Sequence, residues 1–294
     1  MDSQARLTIS VPESVGHIYE RIFYPAGELQ IRFLPAILPT LFSTNKISVI
    51  CRNAHQNLME LALLSDALHA LLPYVDSTLV LPYLPYGRAD RRFMEGDCHG
   101  LGTFGTVINQ MRYHRVKTLD VHSFRARKCV ANLVDVSARP FINKAIADIC
   151  DNGGHPIVLL PDAGASRYEL KGALQCAKKR DPATGKLSGF EVPDFEGHDA
   201  LIVDDICDGG GTFIGLAQAI RTKYAADIWA GHPKKLYLYV THGIFSKGLS
   251  QLFIYFDKIY TTNSIRGDDV QRFGALYFPG KRLEVYSCEK ALLD

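Results

Sequence analysis

The sequence predicts an α/β protein built on mostly parallel sheets flanked by helices, and three observations carry that expectation. Short apolar runs rich in β-branched residues alternate with longer stretches of helical period. Acidic residues follow three of the runs, at the strand ends where ligands bind in open α/β sheets. The 294 residues, 47% hydrophobic and 22% charged, are enough to bury a substantial core without disulfides or metal staples.

In chain order, Ile47–Cys51 reads as the first buried strand, and the leucines of Asn57–Leu71 recur at helical spacing behind it. Thr78–Pro82 is a second strand, Gly102–Tyr113 a helix, and Val116–Val121 a third strand. The stretch from Asp135 to Pro140 breaks the periodicity, which places a domain boundary near Val136–Arg139. Beyond it, helix Asn143–Cys150, strand Pro156–Leu160, strand Ala200–Val203, helix Thr212–Tyr224 and strand Leu236–Val240 follow. Asp181–Gly189, rich in turn formers and charge, reads as a mobile surface loop.

Composition narrows the function classes. Lys and Arg total 33 against 31 Asp and Glu, a net charge of +2, so no global field favours nucleic acid or a membrane surface. An anionic ligand must be held by a local site. The most apolar window, Phe33–Phe42, contains Pro35 and Pro39 and is too short to span a bilayer. The 7 cysteines are scattered without C-x-x-C spacing, as expected for reduced thiols and not for a disulfide framework or a zinc site. Met1–Arg6 has no apolar segment of the kind a secretory leader needs, so a cytoplasmic protein is expected.

The most specific motif runs from Ala200 to Phe213, ALIVDDICDGGGTF. A buried strand ends in Asp204 and Asp205, then a glycine-rich turn (Asp208, Gly209, Gly210, Gly211) leads to a helix starting near Thr212. Successive glycines let backbone N–H groups converge on a phosphate, and the helix N-terminus adds a favourable dipole. Paired carboxylates beside that phosphate would repel it, but they suit the hydroxyls of an attached sugar. Together they describe a pocket for a ribose 5-phosphate; the bland alternative is a tight turn after an edge strand. A literal G-x-G-x-x-G at Gly100–Gly105 lacks a preceding buried strand, so it is expected to open a helix and not to bind a dinucleotide.

The segment from Asp204 to Thr212 resembles the 5-phosphoribosyl 1-pyrophosphate signature of type I phosphoribosyltransferases and ribose-phosphate pyrophosphokinases. Further segments resemble the pyrophosphokinases, in the family's order: helix Asn57–Leu68, then Pro85–Arg92 (PYGRADRR), Thr118–His122 (TLDVH), Pro161–Ala165 (PDAGA), Thr241–Ser246 (THGIFS) and Thr261–Ile265. The resemblance implies two phosphoribosyltransferase type I-like domains, over 1–138 and 139–278, with 279–294 returning to the first through a strand near Leu283–Ser287. It implies transfer of the β,γ-diphosphoryl group of ATP to O1 of ribose 5-phosphate, with release of AMP, by a Mg²⁺-dependent homo-oligomer. On that basis ATP falls to Arg88, Asp90, Arg91, Arg92, Glu28 and His122, the metal to His122 and Asp162, and the sugar phosphate to Asp204, Asp205 and Asp208–Thr212. Lys178 and Arg180 match the first and third residues of the family's K-R-R, whose charge serves the transition state. Taken alone, Arg88–Arg92 also fits a solvated charge run, and His122 a satisfied buried histidine.

Three departures from the family pattern stand out. Ala26 replaces an acid or amide in Tyr24–Glu28, Ala89 replaces a glutamine, and Gly209 replaces a hydroxyl residue in the phosphate loop. Losing the hydroxyl removes a phosphate donor and is expected to widen the pocket mouth. A wider mouth would admit ADP-ribose, the acceptor of related phage ADP-ribose pyrophosphate synthetases. A non-catalytic regulatory subunit of the same fold is a further alternative; the presence of Lys178, Arg180, His122 and Asp162 speaks against it.

Overall fold

The computed structural model describes residues 6–11, 13–180, 187–195, 198–225, 235–265 and 282–294. They form two compact units, one of Met1–Val136 with Cys288–Asp294 and one of Ser137–Ser287.

The first unit holds a five-stranded parallel sheet in the order β1 (Arg6–Val11), β4 (Lys46–Cys51), β5 (Asp76–Leu81), β6 (Arg115–Leu119) and β7 (Leu133–Val136). Between β1 and β4 the antiparallel hairpin β2 (Tyr19–Phe23) and β3 (Leu29–Phe33) stands apart, followed by the short helix α1 (Leu38–Ser43). Helix α2 (Leu58–Leu71) buries Leu61, Leu64 and Leu68, one stripe at spacings of three and four. The hairpin is fastened to α2 through Glu60, which accepts hydrogen bonds from Tyr19 Oη (2.7 Å) and from Arg21 Nε and Nη2 (2.9 and 2.6 Å). Helices α3 (Gly100–Gln110) and α4 (Ala126–Cys129) pack where Gly105 faces Cys129: a Cβ on Gly105 would lie 2.5 Å from the Cys129 carbonyl oxygen. The last glycine of the G-x-G-x-x-G string therefore serves helix packing, inside a helix that begins at Gly100.

The second unit begins with α5 (Arg139–Asp151) and a six-stranded parallel sheet. Its members in chain order are β8 (Pro156–Leu160), β9 (Leu174–Gln175), β12 (Asp199–Cys207), β13 (Leu236–Gly243), β14 (Lys258–Thr262) and β15 (Leu283–Tyr286). Their spatial order is β15-β14-β13-β12-β8-β9. The chain thus steps from β8 to β9 on one side and returns to β12 on the other, a topological switch point at the carboxyl ends of β8 and β12. Strands β10 (Ala177–Arg180) and β11 (Leu187–Glu191) form a separate antiparallel ribbon. Helices α6 (Gly211–Lys223) and α7 (Ser250–Tyr255) cover the sheet, and α8 (Glu289–Leu293) belongs to the first unit.

Several expectations need correction. Leu283–Tyr286 does not return to the first sheet; it pairs in parallel with β14, so the residues that rejoin the first unit begin only at Cys288. The helix expected from Asn143 starts at Arg139, because Pro140 sits in the first turn, where its missing N–H costs nothing. The third expected strand stops at Leu119, since Asp120 takes a left-handed φ of 48°. Of the expected loop Asp181–Gly189, Leu187–Gly189 are strand, and 181–186 lie outside the described residues. The strand expected to end at Val203 runs on to Cys207, carrying both aspartates with it.

Candidate active site

In the second unit, the switch point brings three acids together in the fold. Asp162 lies two residues past the end of β8, and Asp204 and Asp205 lie in the carboxyl-terminal half of its neighbour β12. Asp205 is buried, and its Oδ2 lies 3.2 Å from Arg167 Nη2. Arg167 also donates to Tyr168 Oη (3.1 Å) and the Gly164 carbonyl (3.4 Å), with its guanidinium 4.9 Å from the Tyr168 ring centre. The Asp204 carboxyl accepts the Asp205 N–H at 2.9 Å. Burial, with the Asp205 charge next to it, pushes the Asp204 pKa well above the ordinary carboxylate range. The raised pKa means that the free pair retains a proton at neutral pH, and a diol, offering two O–H donors, would favour the fully ionised pair. Burial also pushes the neighbouring Cys207 thiol up to about 12, which removes it as a nucleophile or thiolate ligand at neutral pH.

Asp208–Gly210 turn the chain from β12 into α6. Gly210 has φ 79°, and a Cβ there would sit 3.0 Å from the Leu252 side chain of α7, so a side chain would be strained and crowded. The first intrahelical bond is Ile214 N–H to the Gly210 carbonyl, which leaves the preceding amides of Gly211, Thr212 and Phe213 at the helix mouth. The loop after β13 is sewn to this turn: Ile244 and Phe245 N–H donate to the Cys207 carbonyl (2.9 and 3.1 Å), and Ser246 N–H donates to that of Asp208 (3.2 Å). Gly209 does not open the mouth as expected. The place a Cβ would take is flanked by the Lys247 methylenes Cδ, Cε and Cγ at 3.3, 3.4 and 3.6 Å. Thr241 and His242, from the THGIFS segment, are buried; His242 Nδ1 bonds Ser264 Oγ at 2.8 Å, a supporting role behind the loop.

Lys178, on β10, bonds Asp162 Oδ2 through Nζ at 2.7 Å, while Asp162 Oδ1 accepts the Gly164 N–H at 2.9 Å. The β10–β11 ladder shifts register between Lys179 and Arg180, where the two-residue alternation is interrupted. The Arg180 side chain lies outside the described residues.

In the first unit the candidate residues ride on loops. Arg88, Arg91 and Arg92 are exposed. Asp90 is held by Ser123 Oγ (2.7 Å), with Arg91 Nε at 3.6 Å and Arg125 Nε at 3.9 Å. Its carboxylate therefore joins the arginine segment to the loop after His122. Gly87 packs there as well, its Cβ position 3.3 Å from His122 Cβ. His122 is exposed, not a buried structural histidine, and the loop behind it is set by Val121 N–H donating to Asp135 Oδ1 at 3.0 Å. Arg92 donates to the Asp97 carbonyl, and the Arg91 guanidinium lies 5.0 Å from the Phe93 ring centre. Glu28 lies apart from this cluster, exposed at the tip of the β2–β3 hairpin.

Two residues escaped sequence reasoning. Arg167 follows the Pro161–Ala165 segment closely, but its partner Asp205 is distant in the chain. Lys247 directly follows the THGIFS segment, and only the contact with Gly209 marks it.

Among the described residues no three His, Cys, Asp or Glu side chains form a metal cage. A cage is not what a nucleotide-borne Mg²⁺ requires, since phosphates and water supply most of its oxygens. Asp162, with oxygen donors, fits such an ion better than the His122 nitrogen does. Nor is any helix among the described residues long and apolar enough to cross a membrane.

No protein-family model matches the chain. It is 30% identical over 204 residues to the ribose-phosphate pyrophosphokinase of Bradyrhizobium diazoefficiens, covering 66% of this chain and 61% of that protein. With the ribose-phosphate pyrophosphokinase of Aquifex aeolicus it shares 30% identity over 249 residues, 75% of each chain. With that of Pyrococcus abyssi the identity is 27% over 245 residues, 76% of each. In fold it is similar to the phosphoribosylpyrophosphate synthetase of Mycobacterium smegmatis, with a TM-score of 0.74 over 98% of this chain and 96% of that one, at 20% identity.

Proposed function

Because the chain belongs to the ribose-phosphate pyrophosphokinase family, we propose that it transfers the β,γ-diphosphoryl group of ATP to O1 of ribose 5-phosphate. The products are 5-phosphoribosyl 1-pyrophosphate and AMP. One observation carries the reading: a pair of carboxylates at a switch point, Asp205 buried and Asp204 half-buried, leads through a left-handed glycine into open helix amides. In this assignment Asp204 and Asp205 accept the ribose hydroxyls, and the amides from Gly209 to Thr212 take the 5-phosphate. Arg88, Arg91 and Arg92 bind the ATP phosphates, with Asp90 positioning them and His122 alongside.

The O1 hydroxyl attacks the β-phosphorus and AMP leaves. Negative charge grows on the transferring group, and the Lys178 ammonium, with three donors, answers it together with Arg180. The Lys178–Asp162 contact aims the ammonium and leaves it donors to spare. Mg²⁺ bound with the nucleotide would neutralise phosphate charge and act as a Lewis acid, with Asp162 of the second unit and His122 of the first as its candidate ligands. Glu28 and the exposed Phe23 and Tyr24 near the hairpin tip fit a contact with a second copy, which light scattering of the purified protein would test.

A second reading is the same transfer to ADP-ribose; the wider mouth that was to favour it is not there, since the Lys247 methylenes flank the place of the missing side chain at Gly209. Incubation with ATP, Mg²⁺ and each acceptor in turn, with AMP followed by chromatography, separates the two. AMP with ribose 5-phosphate supports the first reading, AMP with ADP-ribose alone supports the second, and none with either overturns both.

A further inference from the structure

We infer that Lys247 binds the C5 phosphate of the acceptor, supplying from the next loop the donor that the phosphate loop lacks at Gly209. The inference rests on the proposed binding of a ribose phosphate by this loop and names a further ligand for it. Three observations carry it. First, the Lys247 stem passes side-on across Gly209. Its Cγ, Cδ and Cε are nearly equidistant from the Cβ position, at 3.6, 3.3 and 3.4 Å, so the ammonium is carried along the rim of the phosphate loop. A side chain at 209 would have to displace that stem.

Second, the lysine is delivered by rigid backbone. The Cys207 carbonyl accepts from both Ile244 and Phe245, the Asp208 carbonyl accepts from Ser246, and Gly248 N–H closes onto the Phe245 carbonyl at 2.9 Å. Phe245 is held in a left-handed conformation (φ 47°) with its ring buried, so the turn presenting Lys247 is fixed by packing. Third, the Lys247 side chain is exposed at its end, and among the described residues no carboxylate pairs with it. A cation one bond beyond a stem that lies on Gly209 of the phosphate loop is placed for an anion bound there. An ammonium exceeds a hydroxyl as a phosphate partner because its hydrogen bond is charge-assisted. The glycine at 209 is then a complement to the lysine, not a simple loss.

The test is direct binding by calorimetry, with no turnover required, using ribose 5-phosphate and ADP-ribose as probes. Lys247→Met keeps the methylenes over Gly209 and removes the charge. It is expected to weaken both probes about tenfold, and Lys247→Arg to hold them within about threefold of the parent. The affinity of the parent should fall more steeply with salt than that of the Met variant. A reciprocal exchange, Gly209→Thr with Lys247→Gly, should recover most of the affinity by returning a hydroxyl donor. Circular dichroism melts confirm that each variant is folded.

Equal affinities of the parent and Lys247→Met for both probes overturn the inference. A loss confined to ADP-ribose overturns the placement on the C5 phosphate and moves the ammonium to the outer phosphoryl group. Failure of the parent to bind either probe overturns it as well. If binding shifts as expected while no acceptor yields AMP, the proposed reaction falls and the role of Lys247 stands.

Discussion

The first sheet lays its strands down in chain order from β4 to β7, whereas the second reverses at β8, and charge is handled differently in the two. Without a reversal there is no switch-point crevice, so the candidate residues of the first unit ride on loops. Arg88, Arg91 and Arg92 stay exposed, and one carboxylate, Asp90, lies near Arg91 and is held by Ser123. In the second unit the reversal creates a crevice, and acids are built into strand β12, where Asp204 pays a burial penalty visible in its raised pKa. Hydrated cations on a loop cost little and adapt to a flexible ligand. Carboxylates set into a strand cost stability and are arranged in advance. On the proposed assignment the donor side is thus adjustable, and the acceptor side preorganised.

The strongest way to break this contrast is Lys178→Ala. Loss of a preorganised cation from the acceptor side should lower turnover by about 10²–10³-fold while acceptor affinity changes little. An unchanged turnover number, read from AMP release, would remove Lys178 from the chemistry. Next is Arg167→Ala. It removes a charged partner from Asp205, whose side chain is 6% exposed against 32% for the arginine, and should cost about 2 kcal/mol in urea unfolding. A change below about 0.5 kcal/mol would make the pair ornamental, as exposed pairs are.

The pH dependence sharpens the same point. A carboxyl whose folded pKa is raised contributes stability that is complete below its unfolded value and is lost as pH rises through the folded one. Stability should therefore fall between about pH 4 and the folded pKa of about 8, by up to about 1.4 kcal/mol per pH unit, because of Asp204. Asp204→Asn should flatten that slope and melt higher than the parent at pH 8, while binding ribose 5-phosphate more weakly. An equal slope in both proteins would show that the strain lies elsewhere. The smallest effect belongs to the adjustable side: Ser123→Ala frees one oxygen of Asp90 and should raise the KM for ATP about threefold, with turnover held. A change as large as that for Lys178→Ala would erase the contrast.

The parallel strands were legible because both faces are covered, so β4, β5, β8 and β13 appear as unbroken apolar runs. The β2–β3 and β10–β11 ribbons were not. Each is half-exposed or polar, as in LQIRF and AKKR, and antiparallel pairing leaves little apolar signal. The extension of β12 through Asp204 and Asp205 was hidden for a related reason: carboxylates argue against a buried strand unless a partner is known, and Arg167 is remote in sequence. Motif residues could be located one at a time along the chain. What links them in space, such as Asp90 to Ser123 or Gly209 to Lys247, depends on loops whose course no local pattern encodes.

The double acceptance at the Cys207 carbonyl has a consequence for engineering and inheritance alike. Since Ile244 and Phe245 both hang from it, Asp208–Gly211 and Ile244–Lys247 form one cassette despite their separation in sequence. A transplant of the phosphate loop alone into a relative would arrive without its other half. Segments so joined are expected to be exchanged, and to drift, as a pair.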